Sequence, residues 1–153
     1  MKNGAGFYNW PDGSKYSGEW RDNKIWGQGF YEWEDGKSYR GEWVDNEMHG
    51  EGEYKWPDGR VYKGSFQNDK KHGYGIYTYP DGRVYKGMWQ NGLQHGEGTF
   101  VTSDGVHRLG EWNKGKRLMW LEGKDCTSLA STRSKTSKQS SEMPVKLQAM
   151  VTQ

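Results

Sequence analysis

The chain repeats itself every 23 residues. Tyr16, Tyr39, Tyr62 and Tyr85 recur at this spacing, each followed two residues on by Gly18, Gly41, Gly64 or Gly87 and four on by Trp20, Trp43, Phe66 or Trp89. Each unit continues with a Gly-x-Gly pair (27/29, 50/52, 73/75, 96/98), an aromatic at Tyr31, Tyr54, Tyr77 or Phe100, and Asp-Gly at 35/36, 58/59, 81/82 and 104/105. A catalytic centre needs one asymmetric constellation, whereas a tandem array of one supersecondary unit presents the same side chains at every step and builds an extended surface. The period points to a scaffold before it points to an enzyme.

Within a unit, Tyr16, Gly18 and Trp20 alternate with polar residues, and Gly27, Gly29, Tyr31 and Trp33 do the same. This two-residue period is that of strands with one apolar face. Residues 21–26 are expected to connect the two strands as a hairpin loop, and Glu34-Asp35-Gly36 to make the tight return turn, because Asp-Gly supplies positive φ angles. Glycines every few residues argue against helices. They fall on the aromatic face, where rings from the neighbouring strand can cover the bare backbone. The predicted fold is all-β, an elongated single-layer antiparallel meander with a disordered C-terminal tail.

Only six Leu, seven Val and two Ile accompany nine Trp, ten Tyr and four Phe, so the core must be aromatic. Residues 1–122 carry 17 Lys/Arg against 18 Asp/Glu, a net of −1, and residues 123–153 carry 5 against 2, a net of +3. A repeat block this close to neutral has no strong field to steer nucleic acid or an anionic bilayer. The single Cys126 cannot form an internal disulfide, which favours a reducing compartment. Without a long apolar run or a signal-like N-terminus, neither a membrane span nor secretion is expected.

The unit Tyr-x-Gly-x-Trp, Gly-x-Gly-x-Tyr, Asp-Gly resembles the MORN repeat, and His49-Gly50-Glu51-Gly52, His72-Gly73-Tyr74-Gly75 and His95-Gly96-Glu97-Gly98 fit that family's His-Gly-x-Gly segment. Trp26 replaces the His, Phe66 the Trp, Arg108 the Tyr, and Thr102 stands where Trp10, Trp33, Trp56 or Tyr79 stand. The resemblance divides residues 1–122 into a half repeat at 4–15, repeats at 16–38, 39–61, 62–84 and 85–107, and a partial repeat at 108–122. It implies a curved ribbon whose groove holds partner segments, and no activity. Half-units at the ends leave open edges through which a second chain could pair.

The three histidines are read as structural, since hairpins advance by ~10 Å and one ion cannot span three of them. Asp12, Asp35, Asp58, Asp81 and Asp104 are read as turn residues whose carboxylates bond local backbone. No catalytic, cofactor-binding or metal residue is assigned. Arg40, Lys63 and Lys86 share one repeated position and are the candidate contacts for lipid headgroups or an acidic partner, against the reading of a solvated face. The candidate partner-binding row is Tyr16, Trp20, Tyr31, Trp33, Tyr39, Trp43, Tyr54, Trp56, Tyr62, Phe66, Tyr77, Tyr79, Tyr85 and Trp89, because a single sheet cannot bury all its rings and exposed Trp and Tyr anchor interfaces.

Residues 123–153 form a low-complexity basic tail, with a phosphorylatable Ser/Thr/Lys-rich stretch at 127–141 and a short apolar segment at 143–151 that could dock. The expected function is a non-enzymatic scaffold that binds proteins within a cytoplasmic, cytoskeletal assembly. By analogy with small MORN chains, that assembly is the cilium or axoneme, in a radial-spoke-like setting. The alternative is a peripheral tether that binds anionic phospholipid.

Overall fold

Two kinds of turn alternate along the chain and set the register of every strand. The computed structural model describes residues 1–121; the low-complexity tail expected at 123–153, with its stretches at 127–141 and 143–151, lies outside these residues. The strands are β1 (Gly4–Asn9), β2 (Lys15–Arg21), β3 (Lys24–Glu32), β4 (Ser38–Val44), β5 (Glu47–Lys55), β6 (Val61–Gln67), β7 (Lys70–Thr78), β8 (Val84–Gln90), β9 (Leu93–Val101), β10 (His107–Asn113) and β11 (Lys116–Trp120). They form one 11-stranded antiparallel sheet in chain order. At ~4.8 Å per step the ribbon is about 50 Å long. Residues 108–121 continue it without a break through β10 and β11, although their repeat pattern has decayed.

The two turns exchange the roles expected of them. Residues 21–26 are not a loop: Lys24, Ile25 and Trp26 belong to β3, and the connection is Asp22-Asn23 alone, with φ of 49° and 67°. Asp45-Asn46 and Asn68-Asp69 repeat this conformation. Positive φ at both central residues is the two-residue hairpin turn whose twist suits the strands, and Asn and Asp tolerate it. Glu34-Asp35-Gly36 instead makes the longer loop, in which only Gly36 has positive φ (96°). It is closed by the Gly36 N–H donating to Trp33 O at 3.0 Å and by the Lys37 N–H donating to the Asp35 carboxylate at 3.1 Å.

The tight turns also tie one repeat to the next. Asn46 accepts the Ile25 N–H on its Oδ1 at 2.8 Å and donates its own N–H to Ile25 O at 3.0 Å. Asp69 does the same to Met48, at 2.7 and 3.0 Å. A strand register shift sits between Gly41 and Trp43, opposite Gly50 with its φ of 66°, where the Glu42 carboxylate takes the Glu51 N–H at 2.5 Å. Where Ser65 replaces that glutamate in the third repeat, its hydroxyl donates to Glu51 Oε1 at 2.6 Å.

One face of the ribbon carries the core. Tyr16, Tyr39, Tyr62 and Tyr85 are completely buried, and their hydroxyls donate to Glu19, Glu42, Ser65 and Met88 carbonyls at 2.8 to 3.0 Å. Each ring lies flat against the glycine of the neighbouring strand: a Cβ on Gly52 would stand 2.3 Å from the Tyr39 hydroxyl. The glycines therefore vacate the volume that the tyrosines fill. Edge-to-face contacts then run from repeat to repeat, Tyr16 to Trp43 at 6.0 Å, Tyr39 to Phe66 at 5.0 Å, Tyr62 to Trp89 at 5.4 Å and Tyr85 to Trp112 at 4.8 Å. Such pairs contribute roughly 0.5–1.5 kcal/mol each beyond area burial. The indoles of Trp43 and Trp89 also donate to Gly29 and Gly75 carbonyls at 3.2 and 3.3 Å; Phe66 has no such donor.

Candidate groove and opposite face

The aromatic row assigned from sequence divides into two layers. Tyr16, Trp20, Tyr39, Trp43, Tyr62, Phe66, Tyr77, Tyr85 and Trp89 are buried, so they build the floor and do not offer their faces to a partner. Each is capped by a ring of an adjacent repeat, which the alternation of polar and apolar residues along a strand does not reveal. Tyr31, Trp33, Tyr54, Trp56 and Tyr79 pack over this floor and remain half-buried. They form an outer row, joined between Trp56 and Tyr79 through the buried Tyr77: Tyr31 to Trp33 at 4.5 Å, Trp33 to Tyr54 at 5.4 Å, Tyr54 to Trp56 at 4.5 Å, Trp56 to Tyr77 at 5.7 Å and Tyr77 to Tyr79 at 4.9 Å. Trp10 extends it at one end, 5.2 Å from Tyr31, and Phe100 at the other, 6.1 Å from Tyr79. Both were outside the assigned row, although Trp10 is aligned with Trp33 and Trp56 in the repeat.

Over the first two repeats the face opens into a groove of about 600 Å³, lined by Trp10, Tyr31 and Trp33 with Ile25 and Met48 below them and Asn23, Asn46 and Asp69 alongside. An open trough that sets aromatic rings beside the polar groups of Lys2, Asn23, Asn46 and Asp69 suits an elongated amphipathic segment better than a small enclosed metabolite. Cations border it. The Lys2 ammonium lies 3.5 Å from the Tyr8 ring centre, the Arg60 guanidinium 4.8 Å from Trp56, and that of Arg83 4.9 Å from Tyr79. Arg60 and Arg83 are held by Asp58 and Asp81, each at 2.7 Å. The N–H of Arg60 and then its side chain hold the Asp58 carboxyl below its ordinary range. These aspartates are turn residues, as expected.

The opposite face is polar, and it divides the basic row. Arg40 pairs with Phe30 on β3 and Glu53 on β5, and its guanidinium stacks 4.5 Å from the Phe30 ring. Lys63 stands between Glu53 and Ile76, and Lys86 between Ile76 and Thr99. The cations are thus separated by an acid and by apolar neighbours. His49 and His72 border a shallow depression on β5 and β7 with Glu42, Glu51 and Ser65. Among the described residues, no three His, Cys, Asp or Glu side chains converge to hold a metal ion.

The family model of the MORN repeat matches residues 1–15, 16–38, 39–59, 62–82 and 85–107. A comparison with curated proteins finds no match.

Proposed function

From the premise that this chain belongs to the MORN-repeat family, which its five matched segments establish, we propose that it is a non-enzymatic scaffold whose aromatic groove grips segments of partner proteins. The observation that carries this reading is the outer row of half-buried rings. It runs across consecutive repeats above a floor that is already closed, and none of the described residues covers its remaining surface. Large rings that are partly desolvated and rigidly backed have the character of interface anchors. The assembly we propose is cytoskeletal, in a cilium or axoneme, on family analogy alone.

Affinity capture with the full chain, compared with Trp33→Ala/Trp56→Ala, tests this reading. Both indoles belong to the half-buried outer row, so the variant should stay folded while losing two anchors worth together ~2 kcal/mol or more, and affinity for a captured partner should fall at least ~30-fold. Unchanged capture would contradict the groove reading. Binding to phosphatidylserine vesicles, measured in parallel across a salt series, examines the tether reading. The interrupted basic row speaks against that reading, so Lys63→Glu/Lys86→Glu should leave vesicle sedimentation unaltered.

A further inference from the structure

The position that pairs with Trp20, Trp43, Phe66 and Trp89 is occupied in turn by Ile25, Met48, Lys71 and Gln94. Ile25 and Met48 are buried apolar residues of the groove. Lys71 places an ammonium among the rings of Trp56, Tyr62, Tyr77 and Trp89, 5.3 to 5.8 Å from each centre. Among the described residues no carboxylate lies within ion-pair distance of it; Asp58 is bound to Arg60 at 2.7 Å and Asp69 accepts the Met48 N–H at 2.7 Å. Burial, and then the charge of Arg60, lowers the pKa of Lys71. The rings supply some cation–π attraction, but a cation withdrawn from water without a counter-charge is an incomplete arrangement.

We propose that the aromatic face selects an amphipathic helix of a partner protein, with two apolar side chains at the Ile25 and Met48 steps of the groove, against the half-buried Tyr31 and Trp33, and one carboxylate on Lys71 beyond them, spaced one heptad apart. This rests on the groove reading above and adds the partner's chemistry to it. The helical form follows from spacing. Equivalent positions in successive repeats are two strands, ~9.6 Å, apart along the array, and seven helical residues rise about 10.5 Å and return to the same face. An extended segment returns to one face every two residues, at about 6.8 or 13.6 Å, and misses the step. The apolar-apolar-basic order also fixes direction, since only one orientation brings the carboxylate to Lys71.

The test is fluorescence anisotropy of a labelled three-heptad helical peptide with Leu, Leu and Glu at successive heptad positions, titrated with the full chain. Sister peptides carry Gln or Lys in place of the Glu. The Glu peptide should bind at least ~10-fold tighter than either, because replacing it leaves the Lys71 charge unpaired. Lys71→Met, the residue that the preceding repeat already accommodates at Met48, should abolish the preference while keeping the apolar contribution, and Lys71→Arg should retain it. Equal binding of the three peptides, or a preference that survives Lys71→Met, overturns the proposal and leaves the groove reading standing. Failure of all three to bind overturns it together with helical occupancy of the groove. Phosphatidylserine vesicles that bind in a Lys71-dependent manner, with indifference to the peptides, would assign the counter-charge to a lipid and also overturn it.

Discussion

Gly52→Ala is expected to cost more than ~3 kcal/mol and to melt the second repeat, although it adds a single methyl group. That methyl would stand 2.3 to 2.4 Å from the hydroxyl and ring carbons of Tyr39. Tyr39 has no room to yield: it is completely buried, is edge-to-face with Trp43 at 5.0 Å and Phe66 at 5.0 Å, and donates its hydroxyl to Glu42 O at 2.9 Å. Ordinary overpacking costs roughly 1–3 kcal/mol, and here the obstacle is a pinned ring. Gly105→Ala is the control, with φ of 92° but nothing within 4 Å of the new methyl, so it should cost only about 1 kcal/mol for the backbone conformation. In a Tyr39→Ala background the penalty of Gly52→Ala should largely vanish. Urea unfolding of the four proteins reads the coupling; equal penalties in both backgrounds would mean that the ring does not occupy the glycine's space.

Alkaline pH is expected to unfold the array steeply. Burial is the largest cause that raises the phenol of Tyr16, to about 12, with the charge of Glu19 adding to it and its bond to the Glu19 carbonyl opposing. Burial first, and then neighbouring charges, pushes Tyr39, Tyr62 and Tyr85 higher still. Unfolded phenols titrate near ~10. The stabilisation is fully present below that pH; above it the unfolded chain releases protons that the folded chain keeps, so stability falls as pH rises towards the folded pKa values. Each tyrosine contributes about 1.4 kcal/mol per pH unit and the four together about 5 kcal/mol per unit. Urea midpoints followed by phenolate absorbance should therefore drop sharply between about pH 10 and 12. Tyr39→Phe should flatten the slope by about 1.4 kcal/mol per pH unit. A stability that stays level through this window would show that the phenols already reach water.

The sheet, its meander order and its tyrosine-on-glycine packing were legible in the sequence because the two-residue period and the 23-residue period reinforce each other at every copy. The turns were misread for a specific reason. Asp-Gly is the stronger local signal for a tight hairpin, yet Asp22-Asn23 fills that role, since Asn and Asp also reach positive φ and Asn23 gains a bond to the Lys2 N–H at 2.6 Å. The division of the aromatic row into floor and outer layer was not legible, because it depends on stacking between repeats 23 residues apart, as between Tyr16 and Trp43. Lys71 was invisible for a related reason. In a lysine-rich stretch beside Lys70 it reads as solvated, and only its pairing with Phe66 turns it onto the rings.

The central claim is that partners meet the outer aromatic row and not the opposite face. Site-specific photo-crosslinking in the native cell, with a benzophenone side chain placed at Tyr54 on the groove or at Lys63 on the opposite face, tests it most directly. Protein adducts should form from Tyr54 and not from Lys63. Adducts from Lys63 alone would contradict the account.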